Sequence, residues 1–167
     1  MEIRAATEAD LPAILAITND AILNTTSSWN HYPTTLEARR QWLVDRQAAG
    51  LPVLVGVAEG AVAGYGSYGS FRSWDGYRLT VEHSIYVDAT FRRRGIGRRL
   101  LTALIDHATE ADMHVMMGVI SADNTISIAL HEEFGFEIVG RLPEVGRKFD
   151  RWLDLVLMQK MLRRLGD

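Results

Sequence analysis

The stretch Val87-Asp88-Ala89-Thr90-Phe91-Arg92-Arg93-Arg94-Gly95-Ile96-Gly97-Arg98 constrains this chain more than any other. A β-rich run, Thr80–Val87, stops at Asp88, and a basic turn follows. Two glycines then open a segment with Leu100, Leu101, Leu104, Ile105 and Ala108 at helical spacing, which predicts a helix from about Gly95 to Ala111. Gly95 and Gly97 can adopt positive φ and let a ligand approach the backbone closely. Their N–H groups, with those of Ile96 and Arg98, are unpaired donors at a helix start, where donors and dipole together bind phosphate. The pattern is neither G-x-x-x-x-G-K-[ST] nor G-x-G-x-x-G, so it is not a nucleotide-triphosphate or dinucleotide loop.

The rest of the chain falls into line around this turn. Ile3–Ala5 reads as a short strand. Thr7 with Asp10 forms a capping-box-like start for a helix carrying Leu11, Ile14, Leu15, Thr18, Ala21 and Ile22. A second helix starts after Thr34, with Glu37 as its N3 partner, and stops at Gly50. Val53–Ala58 and Val62–Ser70 read as a hairpin about Glu59-Gly60. Residues 71–79 form a polar and aromatic loop. His114–Ile120 is a strand, Asn124–Phe134 a helix ending at Gly135, and Glu137–Gly140 and Trp152–Met161 are the last strands. The order β-α-α-β-β-β-α-β-α-β-β, without repeat or linker, gives one domain over 1–167. Its central β-α-β-α-β predicts α/β packing with some parallel pairing.

Charge matters locally rather than globally. The net charge of −3 argues against a general nucleic-acid binder. Yet of the 18 basic residues only Lys148 and Lys160 are lysines, and five arginines fall between positions 92 and 99. Arginine presents a planar fork suited to phosphate. The absence of cysteine excludes a disulfide framework, a thiol nucleophile and a thiolate metal site. Met1-Glu2-Ile3-Arg4 opens no signal peptide, and no apolar run approaches the roughly 20 residues that cross a bilayer. The expectation is a soluble cytoplasmic domain with no membrane, metal or nucleic-acid partner.

Arg92-x-x-Gly95-x-Gly97, in its place between strand and helix, resembles the acetyl-CoA pyrophosphate loop of the GNAT N-acetyltransferases. The element order is also theirs. Asn19-Asp20-Ala21, Asn24-Thr25-Thr26, Thr80–Val87 (TVEHSIYV), Leu130-His131 with Gly135-Phe136, and Val145–Asp154 (VGRKFDRWLD) are similar to the phosphinothricin and methionine sulfoximine acetyltransferase branch. The resemblance implies a GNAT-like α/β fold: a central, mixed and mostly antiparallel twisted sheet of about seven strands, flanked by about four helices. It implies a splayed parallel pair at the active site, formed by Thr80–Val87 and His114–Ile120.

The resemblance also distributes roles. It implies that Ile85, Tyr86 and Val87 pair with the pantetheine arm of acetyl-CoA, with a backbone N–H near Tyr86 or Val87 facing the developing oxyanion. Arg92, Arg93, Arg94, Gly95, Ile96, Gly97 and Arg98 take the phosphates. Asn124, which locally reads as an N-cap, and Ser127 border the pantetheine arm. Glu82, separated from His83 by strand alternation, is the candidate base; His83 is structural. His131, where many GNAT proteins have Tyr, is the candidate proton donor to the leaving thiolate. Arg72, Asp75, Gly76, Tyr77 and Arg78, with Trp74 in the same loop, are substrate candidates. Trp29 and Tyr32 are wall candidates, while Trp42 and Trp152 read as core or interface. A homodimer is implied by resemblance alone.

The implied reaction moves an acetyl group from acetyl-CoA to a primary amine without a covalent enzyme intermediate. At pH 7 roughly one in ten α-amines of pKa about 8 is neutral, against about one in two thousand lysine amines. That pKa is of a peptide-type α-amine, and free amino acids lie between the two cases, so a modest base suits an α-amine better than a lysine. The resemblance implies a small amino-acid-like substrate of the methionine sulfoximine, methionine sulfone or phosphinothricin type, in a detoxification or resistance role. Other readings stay open: a protein N-terminus or an aminoglycoside as the amine, a non-catalytic acyl-CoA-binding module, or a structural dimer subunit. Two arginines against one aspartate in the 72–78 loop speak against an aminoglycoside.

Overall fold

Alternation in the β-rich runs and 3.6-residue periodicity between them produce seven strands and four α-helices in the computed structural model, which describes residues 1–162. These are β1 (Glu2–Ala5), α1 (Leu11–Asn24), α2 (Leu36–Ala48), β2 (Val53–Ala58), β3 (Ala61–Ser70), β4 (Thr80–Val87), α3 (Ile96–Glu110), β5 (Val115–Ser121), α4 (Thr125–Glu133), β6 (Glu137–Lys148) and β7 (Arg151–Met161). One sheet carries all seven in the order β1-β2-β3-β4-β5-β7-β6. Every neighbouring pair is antiparallel except β4 with β5. The element order and the single parallel pair agree with the expectation from sequence.

Helix α3 covers one face through Ile96, Leu100, Leu101, Leu104 and Ala108, all essentially solvent-free. It sits so low on the sheet that side chains would not fit beneath it. A Cβ on Gly66 would lie 3.0 Å from Leu104, and one on Gly64 3.1 Å from Ile96. The opposite face holds α1 and α2, with Leu11, Ile14, Ile17, Leu43, Val55 and Tyr65 forming the second core cluster.

Two boundaries differ from those expected. The second helix is capped by Thr35, not Thr34: Thr35 Oγ1 accepts from Ala38 N–H at 3.2 Å, and Glu37 instead pairs with Arg40. The strand expected to end at Gly140 runs on to Lys148. Pro143 suggests a break, but β6 is an edge strand, where a missing N–H is tolerated. The register shifts there, and Glu144, at φ 52°, bonds its N–H to Asp154 instead. Phe149 and Asp150, both at positive φ, then make a tight two-residue turn into β7.

The turn of that hairpin reaches back to the segment after α1. Lys148 is buried and donates its ammonium to the carbonyl oxygens of Thr25 (2.5 Å) and Ser28. The Trp29 ring lies flat on Gly146, where a Cβ would come within 2.2 Å of it.

Candidate active site

The β4–β5 ladder pairs Thr80 with Val115 through His83 with Gly118, and then stops. Beyond it both strands continue unpaired with each other. Asp88 donates to Ala63 and Thr80 accepts from Phe71 on the β3 side, whereas Leu79 accepts from His114 and Val115 on the β5 side. Alternation therefore turns the N–H and C=O of Ile85 and Val87 into the gap, and those of Tyr86 toward β3. Of the two backbone positions expected to face a reacting oxygen, Val87 has the required direction and Tyr86 does not.

Above the gap, Gly95 begins α3 with φ 78°, a left-handed conformation natural to glycine. The first helical hydrogen bond runs from Arg99 N–H to the Gly95 carbonyl. The N–H groups of Ile96, Gly97 and Arg98 precede it, and no side chain caps them. A Cβ on Gly97 would meet Leu130 and Val87 only at 3.7 Å, so the fold itself does not require glycine there. The basic turn is partly self-neutralised: Arg94 pairs with Glu59 at 2.7 Å and Arg98 with Glu133. Arg92 lies 3.9 Å from Asp20, and Arg93 has no acidic partner among the described residues. Three orphan amides with spare positive charge fit a pyrophosphate.

Glu82 and His83 point to opposite faces, as alternation requires. His83 packs with His131 of α4 and Phe136 on the α3 side; its ring is parallel to His131 within 9°. His131 Nδ1 lies 2.6 Å from the Ser127 carbonyl, which only accepts, so Nδ1 carries the proton. Its Nε2 then accepts from His83 Nε2 at 3.0 Å. Burial pushes the His83 imidazole down to about 3, with His131 adding to the shift. Burial also lowers His131, against the bond to Ser127. Both nitrogens of His131 are thus committed, and Nε2 can serve a thiolate only if the His83 contact opens and Nε2 first takes up a proton. Gly118 makes room for the stack, its Cβ position being 3.3 Å from His131. Asn124 caps α4 through Ser127 N–H at 3.2 Å, the local role read from sequence.

On the other face, β3 and β4 place Tyr65 beside Tyr86, Ser67 beside Ser84 and Gly69 beside Glu82. Glu82 is half-buried, and burial raises its carboxyl above the usual range while Arg72, 3.9 Å away, pulls it back. Helix α2 roofs this row with Arg39, Trp42 and Arg46. Two adjoining clefts result, of about 340 and 210 Å³, joined at Arg46 and Ser84. Tyr65 is fully buried; Thr18 gives its proton to Ile14, so the Tyr65 hydroxyl donates to Thr18 at 2.7 Å.

The 72–78 loop contributes less than expected. Arg72 alone reaches Glu82, and it also folds over its neighbour Phe71. Tyr77 packs on Phe71, in a short 3₁₀ turn with Asp75 and Gly76. Trp74, Asp75, Gly76 and Arg78 lie exposed. Trp29 is held on Gly146, whereas Tyr32 borders the smaller cleft. Arg39, Arg46 and Tyr65 were not among the site residues read from sequence. The available signal was the spacing 39-42-43-46, an inward helical face on which two of four residues are arginine.

A ladder that opens beside an uncapped helix start, with a half-buried carboxylate on the far face, can receive a phosphate-bearing molecule next to a proton acceptor. Residues 3–157 match the acetyltransferase (GNAT) domain, and the chain belongs to that family of acetyltransferases. It is 51% identical to an L-methionine sulfoximine/L-methionine sulfone acetyltransferase of Pseudomonas aeruginosa over 94% of this chain and 92% of that one. It is 36% identical to a phosphinothricin N-acetyltransferase of Alcaligenes faecalis over 96% of this chain and 82% of that one. Among solved structures, one named ribosomal-protein-alanine N-acetyltransferase from Brucella melitensis is 53% identical, with TM-score 0.95, over 96% of this chain and 99% of that one. An acetyltransferase of Salmonella typhimurium, solved with its cofactor acetyl-CoA, is 44% identical with TM-score 0.96, over 99% and 96% of the two chains. The likeness to the phosphinothricin and methionine sulfoximine acetyltransferase branch, read from the motifs, is thus borne out.

Proposed function

We propose that this protein acetylates the α-amine of a small amino acid of the methionine sulfoximine, methionine sulfone or phosphinothricin type. The observation that carries this reading is the end of the β4–β5 ladder at His83 and Gly118, between the uncapped start of α3 and Glu82. Acetyl-CoA supplies the acetyl group as a thioester. Ile96, Gly97 and Arg98 would hold its phosphates through backbone N–H groups, and the Ile85 backbone and the Val87 carbonyl would bond its pantetheine amides. Asn124 and Ser127 border that arm from α4. The names of the Pseudomonas and Alcaligenes relatives support the substrate class.

In this reading Glu82 takes the proton from the incoming ammonium, and Val87 N–H meets the negative charge that builds on the acetyl oxygen. His131, once parted from His83, would take up at its freed Nε2 the second proton, shed by the nitrogen as it is acylated, and pass it to the departing sulfur. Arg72 and the 72–78 loop border the amine side. A homodimer is part of the proposal, supported by exposed Val145, Phe149 and Trp152 on the last hairpin. So is a cytoplasmic setting, since acetyl-CoA is an intracellular metabolite, and a detoxification role. No described helix is long and apolar enough to cross a membrane.

The name of the Brucella structure favours a second reading, acetylation of a peptide N-terminus. A thiol-release assay with acetyl-CoA decides. Turnover of L-methionine sulfoximine, L-methionine sulfone or phosphinothricin above that of an alanyl peptide supports the first reading; the reverse order supports the second.

A further inference from the structure

We propose that Arg39 and Arg46 of α2 form an anion receptor on the Glu82 face of β4, and that it takes the carboxylate of a free amino acid. This deepens the proposed acetylation and rests on it for the identity of the amine.

The two guanidiniums flank Trp42, with their carbons 4.7 and 5.9 Å from the ring centroid. Neither makes an ion pair among the described residues. The contrast with Arg40, one position away, is direct: it bonds Glu8 at 2.7 Å and Glu37 at 3.0 Å on the outer face. Arg39 Nε is one of only two buried side-chain polar atoms among the described residues without a hydrogen-bond partner. Arg46 spends one nitrogen on the Tyr68 carbonyl and lies along the backbone of Gly69, where a Cβ would come within 2.2 Å of it. Gly69 pairs with Glu82 in the β3–β4 ladder, so Arg46 borders the same cleft as the candidate base. Burial lowers Arg46, and the like charge of Arg39 adds to that.

Two partly buried cations that line one cleft without a carboxylate paired to either leave room for an anion in that cleft. The guanidinium fork matches a carboxylate in two parallel hydrogen bonds. In an amino acid the carboxylate and the amine are borne on the same carbon. A group held at Arg46 therefore leaves its amine within reach of the Glu82 side of the cleft. A peptide N-terminus has no carboxylate at that position, so the receptor selects the free amino acid.

The test titrates L-methionine sulfone and its carboxamide calorimetrically into the wild-type chain and into Arg39→Gln, Arg46→Gln and Arg46→Lys, with acetyl-CoA titrated alongside. The wild-type protein should bind the acid at least tenfold more tightly than the amide. Each Gln variant should lose roughly 10- to 100-fold for the acid, the range of a charge-assisted hydrogen bond, and little for the amide. Arg46→Lys, which keeps the charge and loses the fork, should fall between. Acetyl-CoA affinity should not move. Equal or absent binding of the two probes by the wild-type protein overturns the receptor, as does a preference that survives in all three variants. Thiol release, run in parallel, separates the two ideas. Release with acid and amide alike leaves acetylation standing and removes the receptor. Selective acid binding without release from any amine leaves the receptor and removes acetylation.

Discussion

His83 and His131 stack with ring centroids 4.9 Å apart and share one hydrogen bond between their Nε2 atoms. The Ser127 carbonyl fixes the proton on His131 Nδ1, so the shared proton belongs to His83, and His83 Nδ1 is a buried lone pair without a partner. The pair is neutral, and the fold depends on its staying so.

Acid should therefore destabilise the protein well above the carboxylate range. The His83 value is depressed to about 3, while an unfolded histidine titrates near 6.5. Between these values the unfolded chain binds the extra proton, so stability falls as pH falls. The expected loss is about 2 kcal/mol from pH 7 to pH 5. Glu82, with its raised carboxyl, contributes with the opposite sign at the acid end of this window. Urea midpoints across this range check it; a flat profile would show that His83 is charged in the fold.

Glu82→Gln should lower kcat by about 10²- to 10⁴-fold at neutral pH, some 3–5 kcal/mol of barrier, and leave acetyl-CoA affinity intact. Activity should partly recover at high pH, where the amine is neutral unaided. A wild-type pH–rate curve in the folded variant would mean that the amine arrives already deprotonated.

Arg72→Ala removes the charge that holds the Glu82 carboxyl down. The acid limb of kcat/KM should move to higher pH, by less than one unit because Arg72 is exposed, Glu82 only half-buried, and the two are 3.9 Å apart. An unmoved limb would detach Glu82 from the rate.

His131→Phe keeps the ring contacts with His83 and Phe136 and loses both polar nitrogens. We expect kcat to fall about tenfold or more while acetyl-CoA binding holds. Unchanged turnover in steady-state assays would assign His131 to packing alone.

Gly97→Val should weaken acetyl-CoA binding at least tenfold, and Gly97→Ala should do so with little change in melting temperature. Space of 3.7 Å around the added carbon leaves the fold unstrained. Unchanged calorimetric affinity in either variant would place the phosphates elsewhere.

Much of this was legible from residues alone because it is local. The glycine turn between β4 and α3, the Thr7–Asp10 capping box and the alternation that parts Glu82 from His83 depend on neighbours within a few positions. What escaped depends on distance along the chain. Pro143 hid the continuation of β6, since only the sheet order reveals that its missing N–H faces no partner. No local motif singles out Arg39 and Arg46. Their cations become notable once α2 is seen to lie over Gly69 and Tyr65, with no ion pair to either among the described residues. The commitment of both His131 nitrogens likewise needs residue 83 brought to residue 131.

The anchoring of residues 25–29 by Lys148 and Gly146 has a consequence for assembly. The segment leaving α1 is translated early, yet its fixed points lie more than a hundred positions later. A nascent chain that has completed β5 already possesses Glu82, Arg39, Arg46 and the residues of the phosphate turn, but lacks the Lys148 ammonium and the Gly146 backbone against which the Thr25 carbonyl and the Trp29 ring are held. One border of the substrate cleft thus waits on the hairpin that carries Gly146 and Lys148, and chains halted before position 146 should lack the anchored 25–29 segment.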